Sequence, residues 1–179
     1  MQTTTFETAL GRFGIGWTDD GIARVQLPGL EPDALLARIN RAGATPGEPP
    51  NWVEAVIGAI EDYADGEQVD FKAVKLDLAG TPQFHRQAYA LLVRFGYGQV
   101  TTYGALARQL GDVQLSRAVG QAMGANPIPL IIPCHRVLAS AGKRGGFSAP
   151  GGADAKMRML ALEGVRGLPG EAGQLGFGF

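Results

Sequence analysis

The chain has 179 residues, of which 45% are hydrophobic and 18% charged, and its formal net charge is −1. This apolar content excludes an intrinsically disordered chain, because burying apolar side chains can offset the entropy lost on ordering. No apolar run approaches the roughly 18 residues of a membrane-spanning helix. The single cysteine excludes an internal disulfide and a multi-thiolate zinc site, and it favours a cytoplasmic location.

Charge is distributed unevenly and suggests two domains. Residues 1–80 carry six basic and thirteen acidic side chains, whereas residues 81–179 carry ten basic and four acidic ones. The sequence 79–82, Ala-Gly-Thr-Pro, breaks the pattern between them. We predict a mixed α/β scaffold domain at 1–80, a functional domain at 81–167 and a mobile glycine-rich tail at 168–179. The excess of +6 in the second half suits a polyanionic partner, although uneven scatter by chance fits as well.

The N-terminal half mixes short strands with amphipathic helices. Alternating apolar residues predict strands at 4–9, 13–17, 22–27 and 71–78. Helical spacing of apolar residues predicts helices at 31–42 and 52–64, the second capped by Asn51. We find no nucleophile, metal cluster or phosphate-binding loop in this half.

Helical periodicity dominates after residue 82. Apolar spacing predicts helices at 84–95, 103–110 and 114–124, and Thr102 is a plausible N-cap for the second. Two short helices joined by a tight glycine-containing turn indicate a helix-turn-helix.

The predicted helix 114–124 has two distinct stripes. Its apolar stripe, expected to face the core, contains Leu115, Val119, Ala122 and Met123. A second stripe contains only small residues, namely Ser116, Gly120 and Gly124. Glycine within a helix is unfavourable by about 1 kcal/mol relative to alanine, so this stripe indicates close approach of another backbone. That backbone could belong to a neighbouring helix or to a nucleic acid, and Arg117 beside the stripe favours nucleic acid.

The only cysteine lies in the segment Pro133-Cys134-His135-Arg136, directly after an apolar run. Cationic or polar neighbours lower the pKa of a thiol and make it a reactive thiolate. The alternative is a buried cysteine that acts as a small hydrophobic residue. The polar cluster at the edge of a core favours the reactive thiol. With only two histidines besides this cysteine, a structural zinc site is excluded.

Pro133-Cys134-His135-Arg136-Val137, preceded by Asn126-Pro127, resembles the active-site signature of the O6-alkylguanine-DNA alkyltransferases, the methylated-DNA–protein-cysteine methyltransferases. The resemblance extends over roughly residues 81–164. It implies an α+β fold: an N-terminal α/β domain with a small antiparallel sheet, ribonuclease H-like, and a mostly α C-terminal domain with a helix-turn-helix.

The resemblance also implies an activity. Such a protein binds duplex DNA from the minor groove, flips out O6-alkylguanine and transfers the alkyl group irreversibly to Cys134, one lesion per molecule. It implies no cofactor, no metal and no membrane. The partner is double-stranded DNA containing O6-alkylguanine, and the protein is a monomer in solution. Activity on O4-alkylthymine and cooperativity on DNA stay open.

Individual roles follow from the resemblance. His135 would deprotonate Cys134 through a water molecule, Glu163 would orient His135, and Asn126 would brace the turn before the active-site loop. Tyr103 would press on the target phosphate and Arg117 would fill the vacated stack. The other residues implied to bind DNA are Ser116, Ala118, Gly120 and Gln121. Those implied to line the substrate pocket are Pro129, Val137, Phe147 and Ser148, with the backbone around Val137 and the loop 145–152.

Glu163 is also notable for its position in a predicted helix at 153–164. A carboxylate in the last turn of a helix is disfavoured by roughly 0.3–1 kcal/mol. It follows Leu160 by three residues, near the apolar face. A solvated surface glutamate would also fit, but a functional partner for His135 explains the position better.

Three departures limit the match. The loop 147–152 is longer than is common in the family, Tyr89 stands where tryptophan is frequent, and residues 1–78 lack the zinc-binding cysteines of some relatives. The main alternative functions are a non-catalytic binder of alkyl lesions, a helix-turn-helix regulator and a cysteine hydrolase. The hydrolase is disfavoured because adjacent residues seldom present their side chains to each other and no oxyanion motif is evident.

Overall fold

The N-terminal half is organised around a small four-stranded sheet. The computed structural model describes residues 1–41, 43–139 and 146–166. Strands β1 (Gln2–Phe6), β2 (Phe13–Thr18), β3 (Gly21–Gln26) and β4 (Thr45–Pro46) lie in the order β3-β2-β1-β4. β2 is antiparallel to β1 and β3, whereas β4 runs parallel to β1. The sheet is therefore mixed, which corrects the expected antiparallel sheet.

The predicted strand at 71–78 is wrong. This segment makes one isolated bridge, Leu76 to Ile22, and a turn closed from the Val74 N–H to the Phe71 carbonyl interrupts it. The bridge is close because Gly21, with φ of +144°, has no side chain: a Cβ there would lie 2.5 Å from the Lys75 carbonyl oxygen. The apolar residues of 71–78 therefore pack this turn-containing segment against the core, although it is not a strand.

Two helices accompany this sheet. Helix α1 spans Pro32–Ile39, shorter than predicted, and helix α2 spans Asn51–Ala64. The predicted Asn51 cap is wrong, because Asn51 is the first residue of α2 and Pro50 occupies the N-cap position without a side-chain cap. The helical spacing predicts a face of Trp52, Val56, Ile57 and Ile60, but only Val56 and Ile60 are buried, Ile57 is half-buried and Trp52 is 41% exposed. The buried face is turned towards Val53 and Tyr63.

The C-terminal half is mainly helical. Its elements are α3 (Gln83–Leu92), β5 (Thr101–Thr102), α4 (Tyr103–Gln109), α5 (Ser116–Gly124), β6 (Val137–Leu138) and α6 (Gly152–Leu162). The Thr102 hydroxyl accepts a hydrogen bond from the Ala105 N–H, so the predicted cap is confirmed. α5 begins two residues later than predicted, because Val113–Leu115 forms a 3-10 turn.

One continuous buried cluster holds the two halves together. It contains Ile15 and Tyr63 from the first half and Tyr89, Val119 and Ile132 from the second. The proposed boundary near residue 80 stays a prediction. In the described part of the chain, no helix has both the length and the apolar character needed to cross a lipid bilayer.

Candidate active site

Cys134 opens a 3-10 turn, Cys134–Arg136, at the end of a tightly held loop. The Asn126 side chain bridges this loop: its Nδ2 donates to the Ile132 carbonyl at 2.8 Å, and its Oδ1 accepts from the Ile128 N–H at 3.0 Å. Leu130 has a left-handed φ of 77°. Such a conformation costs a residue other than glycine on the order of 1–3 kcal/mol and persists where its surroundings enforce it. The loop therefore fixes the position of Cys134.

Glu163 is the centre of a buried hydrogen-bond network beside Cys134. The helix α6 ends one residue earlier, so Glu163 is its C-cap and does not lie in the last turn as predicted. His135 Nε2 lies 2.7 Å from Glu163 Oε1, and the Arg136 guanidinium donates to both carboxylate oxygens, at 2.9 and 3.0 Å. The Tyr63 hydroxyl donates to Oε1 at 3.0 Å, and the Gly98 N–H donates to Oε2 at 3.1 Å. All four partners are donors, which suits an ionised carboxylate.

This network determines the protonation of His135. Burial alone would raise the pKa of Glu163, but hydrogen bonds from His135 and Arg136 outweigh it and lower that pKa to about 2. Burial lowers the pKa of His135 and, together with the charges of Arg136 and Lys156, outweighs the raising effect of Glu163, so we assign a neutral imidazole at pH 7. Because Glu163 can only accept, His135 Nε2 carries the proton. Its Nδ1 is buried and has no hydrogen-bond partner among the described residues, which leaves a lone pair for a base.

The surroundings of the Cys134 thiol favour its protonated form. It is 5% exposed, and burial raises its pKa, against a hydrogen bond from Asn126 and the charge of Lys156. The direction of this shift is opposite to the lowering expected from cationic or polar neighbours. Lys156 is itself buried: Nζ donates to the Val137 carbonyl at 2.6 Å and lies 5.9 Å from the centre of the Tyr103 ring. Burial lowers its pKa to about 8.

Two cavities reach Cys134. The first has a volume of about 170 Å³ and is lined by Asn126, Pro129 and Ser148 and by arginines of the N-terminal half. The second, of about 420 Å³, lies between α5 and Tyr103 and is also bordered by Phe147. The Ser148 hydroxyl donates to the Gly124 carbonyl at 3.0 Å and so closes the segment 146–149 over the end of α5.

Three of the four predicted pocket residues line these cavities: Pro129, Phe147 and Ser148. Val137 does not line them, and its side chain is fully buried. Residue 145 of the predicted loop and the tail 168–179 lie outside the described residues.

The residues predicted to bind DNA lie on α4 and α5. Arg117 and Gln121 are exposed, and Tyr103, Ser116, Ala118 and Gly120 are half-buried. A Cβ on Gly120 would come no closer than 4.0 Å to another atom, the Tyr103 ring, and a Cβ on Gly124 would meet open space. Gly120 and Gly124 therefore have no close backbone neighbour in the described chain, whereas the Ser116 end of the stripe borders α4, where a Cβ on Gly104 would lie 3.9 Å from the Ser116 Oγ.

Sequence reasoning missed three residues of the site. Arg136 lay inside the quoted motif, but its contact with Glu163 was not foreseen. Lys156 had a usable signal, because it precedes Leu160 by four and Glu163 by seven and so shares their helical face. Tyr63 had none, since it meets Glu163 across 100 residues.

No group of three or more potential metal-ligating side chains occurs in the part of the chain that the structure describes. A thiol that borders two cavities is a candidate nucleophile, and the next residue in the chain, His135, has an unpartnered Nδ1 that is a candidate base. The fold and site together therefore define a cysteine-dependent transferase or hydrolase whose substrate arrives beside α5.

Comparison with known proteins decides between these classes. Residues 83–165 match the family model described as the DNA binding domain of 6-O-methylguanine DNA methyltransferase. A methylated-DNA–protein-cysteine methyltransferase of Mycolicibacterium paratuberculosis is 37% identical over 151 residues, covering 81% of this chain and 88% of that protein. The human protein of the same name is 33% identical, covering 98% and 87%. A crystal structure of Mycobacterium tuberculosis OGT in complex with DNA has a TM-score of 0.75 at 30% identity, covering 91% and 92%. The chain belongs to the O6-alkylguanine-DNA alkyltransferase family, the methylated-DNA–protein-cysteine methyltransferases.

Proposed function

We propose that this protein repairs DNA by transferring the alkyl group of O6-alkylguanine to Cys134. The observation that carries this proposal is the position of the chain's only thiol, at the floor of two cavities and beside the His135–Glu163 pair. Displacement at a saturated carbon requires a soft nucleophile, and a thiolate is the best that a protein offers.

The reaction is balanced without a cofactor. Cys134 Sγ forms a bond to the alkyl carbon while the bond from that carbon to guanine O6 breaks, and the base keeps the electron pair and takes up a proton. The product thioether is stable, so each molecule acts once. A lesion-binding protein without an acceptor thiol is not favoured, because Cys134, His135 and Glu163 are all present.

His135 acts as the base that activates the Cys134 thiol. With its proton on Nε2, Nδ1 can accept the thiol proton through a water molecule. Glu163 holds the imidazole in this tautomer, and the Lys156 charge favours the thiolate once it forms. Asn126 contributes by fixing the loop.

Helices α4 and α5 bind the DNA, and we assign them as a helix-turn-helix. The open stripe of Ser116, Gly120 and Gly124 allows a DNA backbone to approach α5 closely, with Arg117 exposed beside it. The target base has to leave the stack, because an O6-alkyl group is inaccessible in a paired duplex. Tyr103 borders the second cavity, where it can press on the phosphate of the flipped nucleotide.

The N-terminal half fits a scaffold role. Its strand order β3-β2-β1-β4, with β1 and β4 parallel, supports the ribonuclease H-like assignment. A cytoplasmic location, with association to the nucleoid during repair, is part of the same proposal.

Intact-mass measurement tests the function. Incubation with a duplex containing O6-methylguanine should add one methyl mass permanently to the wild type. Cys134→Ser should gain no mass and should still bind the duplex, because binding depends on α4 and α5. A methyl group found on Cys134→Ser would contradict the assignment, no gain by the wild type would indicate a binder, and repeated turnover would indicate a hydrolase.

A further inference from the structure

Three arginines of the N-terminal half border the first cavity together with Cys134. Arg24 lies on β3, Arg38 lies in the last turn of α1, and Arg41 follows that helix. They are half of the six basic residues in 1–80, a stretch with thirteen acidic ones. An otherwise acidic half of the molecule thus concentrates positive charge where it borders the site.

Specific contacts build this placement. The Val25 N–H donates to the Pro127 carbonyl at 3.0 Å, which ties the edge strand β3 to the active-site loop. Arg24 Nη1 donates to the carbonyls of Ile39 at 2.8 Å and Arg41 at 3.2 Å. Arg24 therefore holds the end of α1 against β3 and brings the other two arginines to the cavity.

The positive charge of this arginine cluster (Arg24, Arg38 and Arg41) is not neutralised within the described residues. None of the three forms an ion pair with a described carboxylate, whereas Arg12 pairs with Glu7 and Lys72 pairs with Asp70. Arg38 and Arg41 are exposed. Burial lowers the pKa of Arg24, and the neighbouring charge of Arg41 adds to this, as expected for like charges held together.

We infer that the arginine cluster binds phosphates of the DNA strand whose base enters the cavity, so that the N-terminal half makes a DNA contact separate from α4 and α5. This inference rests on the proposed function. The cluster and Cys134 share one cavity, so an anion at the cluster belongs to the molecule that carries the reactive group. An acidic surface of a second copy is the competing occupant, but nothing would direct it to this cavity.

Salt dependence of DNA binding is the sharpest test. Each phosphate contact contributes about −0.9 to the slope of log affinity against log salt. If Arg38 and Arg41 each make one, Arg38→Gln with Arg41→Gln should make the slope shallower by about 1.8. The advantage of the wild type over this double variant should then fall about tenfold between 50 and 200 mM salt. Arg24 stays unchanged because its hydrogen bonds hold α1.

Two further variants separate charge from shape. Arg12→Gln with Lys72→Gln removes the same charge from the same half, away from the cavity, and should leave the slope near that of the wild type. Arg38→Lys with Arg41→Lys keeps the charge and should restore most of the slope, since lysine binds phosphate as a point charge. Thermal unfolding checks that every variant is folded.

Rates of methyl transfer show whether the Gln variant loses DNA binding or the transfer step itself. The Gln variant should transfer more slowly from a short duplex at high salt, yet as fast as the wild type from free alkylguanine base. Equal losses on both substrates, or an unchanged slope, would overturn the inference. A loss of cooperativity on long DNA with an unchanged slope on a duplex that holds one copy would assign the cluster to protein contacts and overturn it too. If the wild type transfers nothing, the proposed function itself has failed.

Discussion

Glu163 illustrates how single residues set the chemistry of this site. A buried carboxylate is unfavourable unless its lone pairs are satisfied, and here every partner donates. Arg136 supplies the opposite charge, which leaves His135 free to stay neutral. A neutral histidine can accept a proton, so the arrangement favours general-base activity over a simple ion pair.

Tyr63 donates to the same carboxylate oxygen as His135, so we expect it to position that pair. Tyr63→Phe should concentrate charge on Oε1, raise the pKa of His135 and move the acid limb of the transfer rate to higher pH. A hydrogen bond to a charged group is worth roughly 1.5–3 kcal/mol, so the rate at pH 7 should fall by about tenfold or more. Single-turnover transfer from pH 5 to 9 measures both effects.

Tyr97→Phe is the matched control for this prediction. Tyr97 packs edge-on against Tyr63, and its hydroxyl donates to the Leu162 carbonyl at 2.7 Å without bonding to Glu163. It should cost stability but leave the pH profile in place. If Tyr63→Phe lowers the rate without moving the profile, its role is structural only.

His135 and Glu163 should act as one unit on Cys134. Since burial raises the thiol pKa, a protein without its base must ionise the thiol directly. His135→Ala should therefore slow transfer at pH 7. It should also move the pH–rate profile to higher pH, with a midpoint above the pKa of an ordinary thiol. Glu163→Gln should act in the same direction, and the double variant should cost little more than the worse single one. Additive losses, or an unmoved profile between pH 6 and 10, would remove both residues from activation of the thiol.

Among the helices and strands, α5 shows which features residue spacing can predict and which it cannot. Its two stripes follow from spacing alone, and Val119, Ala122 and Met123 are buried as predicted. Spacing could not decide what faces the glycines, because that depends on which elements pack nearby. In the described chain no backbone comes close to Gly120 or Gly124, and only the Tyr103 ring of α4 lies at 4.0 Å from a Cβ on Gly120.

Gly120→Leu tests the open face of α5. Leucine is a strong helix former, so the free energy of unfolding should rise by about 0.5–1 kcal/mol. DNA affinity should fall at least about tenfold, because the side chain occupies the space of the approaching backbone. Gly58→Leu is the control: Gly58 is inside α2 and a Cβ there also meets open space. Gly58→Leu should raise the free energy of unfolding by a similar amount and leave DNA binding intact. If Gly58→Leu and Gly120→Leu bind DNA with the same affinity, α5 is not the interface.

For the molecule as a whole, the sequence predicted local features better than distant contacts. The Thr102 cap depends on neighbours a few residues apart and is confirmed. The helix α2 is also present as predicted, although Trp52 of its predicted buried face is exposed. The segment 71–78 has the right alternation for a strand, but a strand pairs along its length, and this segment forms a β-bridge only with Ile22. Contacts across many residues, such as Tyr63 with Glu163, leave no local pattern.

The network around Glu163 joins both halves, so it should also contribute to global stability in a pH-dependent way. Its pKa is lowered from 4.5 to about 2. A lowered carboxyl pKa gives stability that is present above the unfolded value and is lost as the pH falls towards the folded one. The contribution is at most about 3 kcal/mol.

Urea unfolding at pH 7, 5, 4 and 3 tests this contribution. Glu163→Gln should be less stable than the wild type at pH 7, and the gap should shrink by at least half at pH 3, where the wild type begins to lose its own carboxylate interactions. Glu61→Gln, an exposed position on α2, should show a small gap that hardly changes with pH. The contrary result is a difference in unfolding free energy between the wild type and Glu163→Gln that stays constant from pH 7 to 3. That result would mean that Glu163 stabilises the fold by packing and neutral hydrogen bonds, and that its charge does not contribute to the contact between the halves.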